Sequence, residues 1–89
     1  MSRVEVRLAG LLHSYTGGAA QLEASGATIA EVLDDLDRRF PGIRFRLVDE
    51  QHRLRRHVRL FVNDADARQL AAPLAEGDEI YIVGALSGG

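Results

Sequence analysis

The chain has 89 residues, of which 46% are hydrophobic and 27% charged, and its formal net charge is −2. These values predict one small globular domain with too little enclosed volume for a self-sufficient active site or a large bound cofactor. The negative charge disfavours binding to nucleic acid or to acidic membranes. Cysteine is absent, and no apolar run is long enough to span a bilayer, so we expect a cytoplasmic protein.

Alternating hydrophobic residues predict that the chain opens with a β-hairpin. Val4, Val6 and Leu8 alternate with charged residues, and a second alternating stretch covers residues 20–24. A period of two is typical of a strand with one buried face. We expect residues 17–18, both glycine, to form the turn between the two strands.

The clearest local signal is a helix that begins after Thr28. Thr28 and Glu31 have the spacing of a capping box, in which each side chain bonds a backbone amide of the first turn. Residues at helical spacing then form one hydrophobic stripe: Ile29, Val32, Leu33, Leu36 and Phe40. Pro41 and Gly42 predict the end of the helix. We expect i,i+4 ion pairs on its exposed side: Asp34 with Arg38, and Asp35 with Arg39.

The second half of the chain is less regular. Its pattern predicts a short helical turn over 43–47, an exposed loop, and a strand over 57–62. Turns at 63–64 and 76–78 flank a short edge element over 68–74, and a last strand covers 79–83. Phe45, Leu47 and Leu54 are candidate core anchors. One main helix can cover only one face of such a sheet, so we predict an α+β fold with a partly open face.

Alternation along the last two long strands places an aromatic pair on the open face. Val58, Leu60 and Val62 point to one side, which leaves Phe61 and Arg59 on the other. Tyr81 faces the same side in the last strand, with Arg7 as a further neighbour. Exposed aromatic and arginine side chains are typical of protein-binding hot spots. The alternative is that the two rings cover the edges of the core or pair with each other.

The sequence ends with Gly88 and Gly89, and we expect the Gly89 carboxylate to be the reactive group. A terminal carboxylate is an anion at neutral pH and reacts only after activation by another protein. Glycine lacks a Cβ, so Gly88 and Gly89 can enter a channel too narrow for side chains. A tail over 84–89 would reach about 20 Å beyond a domain over 1–83. The alternative is an ordinary frayed end.

No other group of residues in the sequence predicts a metal site, a phosphate-binding loop or a catalytic site. The three histidines lack the spacing of a metal site, and no phosphate loop or nucleophile triad is present. The arginine run over 53–59 could contact phosphates, but it lacks interleaved aromatic residues, so a charged loop or an acidic protein partner is favoured. Every basic residue is arginine, so the chain offers no lysine on which isopeptide-linked copies could accumulate.

Several segments occur in an order and spacing that are specific only when taken together: TIAEVL (28–33), FPGI (40–43), VND (62–64), LAEGDEI (74–80) and ALSGG (85–89). In these segments, and over nearly its full length, the chain resembles the MoaD/ThiS family of ubiquitin-like sulfur carriers. TGG (16–18), ASG (24–26) and FVND (61–64) are similar to its CysO-type branch of cysteine biosynthesis. The resemblance implies a β-grasp fold with a mixed sheet of four to five strands. Family members usually place proline shortly after the last strand, where this chain has Gly84.

The resemblance also implies a carrier that is not itself an enzyme and binds no cofactor or metal. An E1-like enzyme would use ATP to adenylate Gly89, and a sulfur donor would convert it to a thiocarboxylate. The acceptor would be a pyridoxal-phosphate cysteine synthase-like enzyme, followed by a metalloprotease that releases the product. Phe61, Tyr81 and Arg59 would contact partners, together with Leu86 and Ser87.

Three alternatives stay open. The acceptor could be the large subunit of molybdopterin synthase, or an enzyme of thiamine or other sulfur-dependent biosynthesis. The chain could instead be a ubiquitin-like protein modifier whose terminus is ligated to lysines. It could also be a non-catalytic β-grasp binding module with a passive tail.

Overall fold

The computed structural model describes residues 2–84, which form a five-stranded mixed sheet with two helices on one face. Along the chain the elements are β1 (Arg3–Gly10), β2 (Gln21–Ser25), α1 (Ile29–Arg39), α2 (Ile43–Leu47), β3 (Val58–Val62), β4 (Ala65–Asp66) and β5 (Glu79–Gly84). The strands are ordered β2-β1-β5-β3-β4 across the sheet. β5 is parallel to β1, and the other neighbouring strands are antiparallel. The α+β prediction is confirmed.

The predicted hairpin is present, but its connection is longer than a two-residue turn. A 3-10 helix over Leu11–Thr16 follows β1, and Gly17 and Gly18 then take positive φ angles of 66° and 96°. Such angles strain residues that carry a Cβ, which explains the glycine pair. β1 and β2 pair in antiparallel register, with Val4 opposite Ala24.

The start of α1 follows the predicted cap, with one difference. The Thr28 hydroxyl accepts a hydrogen bond from the Glu31 amide at 3.3 Å. The Glu31 carboxylate reaches back as expected, but it accepts from the amide of Ala27 at 2.9 Å, one residue before the cap. The predicted stripe faces the sheet, because Ile29, Val32, Leu33 and Leu36 are buried and Phe40 packs against the same core.

The predicted pairing of Asp34 with Arg38 is wrong. Asp35 binds both arginines of the last turn, at 2.7 Å to Arg38 and 3.1 Å to Arg39, while Asp34 pairs with Arg44 of α2 at 2.9 Å. The reason is tertiary: α2 packs beside α1, so Arg44 comes within reach of a carboxylate ten positions earlier.

The segment after α1 contains one further correction. α2 has the predicted bounds, and Leu47 and Leu54 are buried as expected. Phe45, however, is 69% exposed, so its prediction as a core anchor is wrong. The buried positions of this short helix are Ile43 and Leu47, four residues apart, and Phe45 lies between them on the outer side.

The short edge strand lies earlier than predicted. β4 is Ala65–Asp66, directly after the turn at Asn63 and Asp64, and it pairs with the end of β3. Residues 68–74 instead form turns and a single bridge between Pro73 and Thr28. Proline cannot donate a ladder hydrogen bond, which favours an isolated bridge over a continuous strand.

We predict that Gly26→Ala destabilises the fold by about 1–3 kcal/mol, because the added Cβ meets backbone. At this position a Cβ would lie 2.6 Å from the Val32 nitrogen and 2.9 Å from the Glu31 carbonyl carbon. Gly84→Ala is the matched control, since its Cβ would meet only Leu12 side-chain atoms at 3.4 Å or more. We expect a change below about 1 kcal/mol there. Urea denaturation measures both, and equal effects would contradict the packing argument.

Candidate functional site

The predicted aromatic pair lies on the sheet face opposite the helices. Phe61 and Tyr81 are directly opposite each other on β3 and β5. Their ring centroids are 6.3 Å apart and the planes are inclined by 29°, a stacked arrangement. Tyr81 is 43% exposed, and Phe61 is half-buried. The rings therefore pair across the strands, as the alternative held, and still present an accessible aromatic surface.

Two arginines border this aromatic surface. The Arg59 guanidinium carbon lies 5.6 Å from the centre of the Phe61 ring, within the range of a cation-π contact. Arg59 also lies 3.5 Å from the carboxylate of Asp66 on β4. Arg7 is the register partner of Tyr81 on the other side of β5. We call Arg7, Arg59, Phe61 and Tyr81 the aromatic face.

A hollow of about 360 Å³ opens beside the aromatic face, and acidic side chains form one wall. Arg7, Phe61 and Tyr81 line it together with Asp64 and Glu79. Neither carboxylate is among the residues predicted from the sequence. Glu79 stands two positions before Tyr81 on the same strand, so the alternation that placed Tyr81 would also have placed Glu79. The hollow thus combines aromatic, cationic and anionic groups.

A polar link between two turns fixes the strands that carry the aromatic pair. The Asn63 side-chain amide donates to Asp78 at 2.9 Å, and its carbonyl oxygen accepts from the Glu79 amide at 3.0 Å. Asp78 also accepts from the backbone N–H of Ala75 at 2.9 Å. This N–H and the Asn63 amide lower the pKa of Asp78 below its usual value of 3.8. The end of β3 and the start of β5 are thereby held in one register.

The last described residue, Gly84, lies at the end of β5 between two strands. It is the register partner of Gly10 on β1 and of Val58 on β3. The sheet thus includes the first residue that the sequence analysis gave to the tail. The other predicted tail residues lie outside the described range: Leu86, Ser87, Gly88 and Gly89.

Within residues 2–84, no three histidine or acidic side chains converge on a position that could hold a metal ion. No helix in the same range has the length and apolar character needed to cross a membrane.

Comparison with known proteins identifies a family and a related protein of similar length. The model of the ThiS family matches residues 6–89. Sulfur carrier protein CysO of Mycobacterium tuberculosis is 38% identical over 91 aligned residues, which cover 97% of this chain and 98% of that protein.

Two solved structures extend the comparison. The Amycolatopsis orientalis BexX/CysO complex contains a chain with a TM-score of 0.86 and 39% identity, covering 97% of this chain and 99% of that chain. Small archaeal modifier protein 1 from Methanosarcina acetivorans has a TM-score of 0.83 and 28% identity, covering 100% of this chain and 98% of that chain. The prediction of a β-grasp, ubiquitin-like fold is confirmed.

We predict that Asp78→Asn weakens the fold at neutral pH, by at most about 1 kcal/mol because water screens this exposed group. A carboxyl with a lowered folded-state pKa stabilises the fold above its unfolded pKa, and this contribution is lost as the pH falls through the folded value. The difference between variant and wild type should therefore shrink below about pH 4. Urea denaturation from pH 7 to pH 3 tests this. Glu50→Gln, at an exposed carboxyl, is the control, and a difference that stays constant with pH would contradict the role given to Asp78.

Proposed function

The chain belongs to the ThiS family, and we propose that it works as a sulfur carrier whose Gly89 carboxylate holds the sulfur atom. The observation that carries this proposal is the 38% identity to a sulfur carrier protein over 97% of the chain. The family match extends to residue 89, so it includes the terminal glycine pair. The described residues offer no competing cluster of metal ligands.

The proposed chemistry needs an activating enzyme, because a carboxylate is a poor electrophile. An E1-like partner transfers AMP from ATP to Gly89, which releases pyrophosphate and leaves an acyl-adenylate. A hydrosulfide equivalent attacks the carbonyl carbon, the bond to the AMP oxygen breaks, and a thiocarboxylate remains. In this scheme ATP is a substrate of the partner, and the chain itself needs no cofactor.

We propose cysteine biosynthesis as the pathway, because the M. tuberculosis relative is named CysO and the solved complex contains a CysO. The acceptor is then a pyridoxal-phosphate enzyme that presents an activated serine derivative to the thiocarboxylate sulfur. A metalloprotease would release the product from the carrier. The large subunit of molybdopterin synthase and a thiamine pathway enzyme are the alternative acceptors.

The aromatic face is the proposed docking surface for these enzymes. Its rings are accessible, and one of them, Tyr81, lies on β5, the strand that leads toward the tail. In the proposal, Leu86 and Ser87 add contacts near the partner's channel. The solved BexX/CysO complex supports the expectation that such a carrier forms a complex with a partner protein.

A second candidate function, protein modification, is supported by the 28% identity to small archaeal modifier protein 1. In that case Gly89 would form isopeptide bonds with lysines of target proteins. Because this chain contains no lysine, each target site would receive one copy and not a chain linked through lysine. Isopeptide-linked Gly89 in digests of cell extracts would favour this function.

We predict that incubation with an E1-like enzyme, ATP and sulfide exchanges one oxygen for sulfur at Gly89. Intact-mass spectrometry detects the exchange, and fragmentation assigns it to the last residue. A variant that lacks Gly88 and Gly89 should stay unmodified while its unfolding curve matches that of the wild type.

An unchanged mass for the wild type, under conditions in which M. tuberculosis CysO is converted, would contradict the carrier proposal. Full function of the truncated variant would instead indicate a binding module with a passive tail.

We predict that Tyr81→Ala raises the KM of the adenylating enzyme for the carrier by about tenfold, because truncating an interface aromatic costs about 1–2 kcal/mol. Tyr81→Phe keeps the ring stacked on Phe61, so its KM should stay close to the wild-type value. Steady-state pyrophosphate release measures both variants. If both substitutions have equal effects, or if neither changes the KM, the aromatic face is not the docking surface.

A further inference from the structure

A second surface, distinct from the aromatic face, is formed by arginines at one end of the sheet. An open groove of about 730 Å³ lies beside the loop that precedes β3. Its lining includes Arg53, Arg55, Arg56 and Arg68, which we call the arginine rim. Asp49 is the only carboxylate in this lining. The groove therefore carries an excess of positive charge on a chain whose net charge is −2.

Backbone contacts hold two of the four rim arginines, Arg68 and Arg55, in place. The Arg68 guanidinium donates to the carbonyl oxygens of Val58, Leu54 and Arg55 at 2.8, 3.1 and 3.0 Å. Arg55 donates to the carbonyl oxygen of Phe45 at 2.9 Å, and its guanidinium carbon lies 5.0 Å from the centre of that ring. Ordering these side chains before a partner arrives reduces the entropy lost on binding.

Most of the rim's positive charge is not neutralised by an ion pair within the described part of the chain. Arg53 lies 3.9 Å from Asp49, and the other three rim arginines form no ion pair there. The backbone N–H of Arg53 lowers the pKa of Asp49, with that of Gln51 and the nearby arginine charges adding to the effect. Asp49 is therefore ionised at neutral pH and offsets one of the four positive charges.

The register of the sheet places the rim beside the exit of the tail. Val58 begins β3, and its partner on β5 is Gly84, the last described residue. Neighbouring strands are about 5 Å apart, and Arg56 precedes Val58 by two residues, or about 7 Å. The backbone of Arg56 thus lies within about 12 Å of the point where the chain continues toward Gly89. An enzyme that receives the tail must bring its own surface close to the rim.

The lining favours a protein over a nucleic acid as the occupant. Leu54 and Leu70 are its apolar residues; its only ring side chains are His52 and His57, and no phenylalanine, tyrosine or tryptophan lines it. Single-stranded nucleic acids are usually bound through bases stacked on aromatic rings. Phe45 is nearby, but the Arg55 guanidinium lies over its ring.

We propose that the arginine rim binds an acidic segment at the mouth of the channel through which a partner enzyme receives the C-terminal tail. This assignment of a partner rests on the proposed carrier function. Charges at the edge of an interface act mainly on the association rate and its salt dependence. The rim would therefore speed capture of the tail without slowing release of the carrier.

Arg56→Glu tests the rim, because Arg56 is exposed and makes no side-chain hydrogen bond or ion pair in the described range. Arg38→Glu is the control for charge reversal outside the rim, since Arg38 is also highly exposed but lies on α1, where it pairs with Asp35; its unfolding curve is recorded beside its KM. In the adenylation assay we expect Arg56→Glu to raise the KM for the carrier about fivefold, with kcat unchanged and a weaker salt dependence. Arg38→Glu should behave like the wild type.

A titration that needs no activation separates this proposal from the carrier function. A short polyglutamate peptide is added to the isotope-labelled chain at about 0.15 M salt and followed by NMR. We expect amide shifts concentrated at residues 53–57 and 68–70, with about fivefold weaker binding in Arg56→Glu and unchanged binding in Arg38→Glu.

Each outcome decides between the two proposals. If the wild type is converted to the thiocarboxylate but both variants keep its KM, the rim proposal is wrong and the carrier function stands. If the wild type is not converted, the carrier function fails, and the peptide titration alone decides whether the rim binds acidic protein. Shifts spread over the whole surface, or tighter binding of a single-stranded oligonucleotide or of anionic vesicles than of the peptide, would overturn the proposal.

Discussion

The pairing of β5 with both β1 and β3 is the constraint on which the rest of this structure depends. β5 is the last strand in the chain and lies between β1 and β3, which precede it in the sequence, with Val6 opposite Ile80 and Leu60 opposite Ile82. All four of these residues are at most 1% exposed, so the centre of the core closes only when β5 is in place. The same insertion sets Phe61 against Tyr81 and Val58 against Gly84. The core, the aromatic face and the position of the tail exit are therefore one result of strand order.

Elements that depend on near neighbours in the chain were predictable from the sequence. The Thr28 cap, the stripe of α1 and the bounds of α2 rest on residues that lie three or four positions apart. The errors occur where distant elements meet. Asp34 pairs with Arg44 and not with Arg38 because α2 packs against α1, and no helical spacing rule contains that contact. Similarly, the edge strand follows the turn at Asn63 and Asp64, whose positive φ angles reverse the chain two residues after Phe61.

The sequence predicted which face of the sheet carries the residues of the candidate site, but not which of them contact each other. Period-two alternation placed Arg59, Phe61 and Tyr81 on the open side of the sheet. It could not show that the two rings stand directly opposite each other, because that depends on the register of β3 against β5. Asp66 lies on the edge strand, which was predicted too late in the chain. Asp64 lies in a turn that was predicted correctly but was given no role in the site. The arginine run was visible as a cluster, but its position beside Gly84 follows only from the pairing of Val58.

The arrangement of two surfaces suits the proposed carrier function, in which the chain would bind an activating enzyme and then an acceptor enzyme. The groove at the arginine rim and the hollow at the aromatic face share no lining residue, so the two surfaces can be altered by different substitutions. A large hydrophobic interface would bind the activating enzyme tightly and delay transfer to the acceptor. Charges at a rim raise the association rate, while a small aromatic contact leaves dissociation fast. A chain whose proposed reactive group is a backbone carboxylate therefore needs its fold mainly for recognition and release.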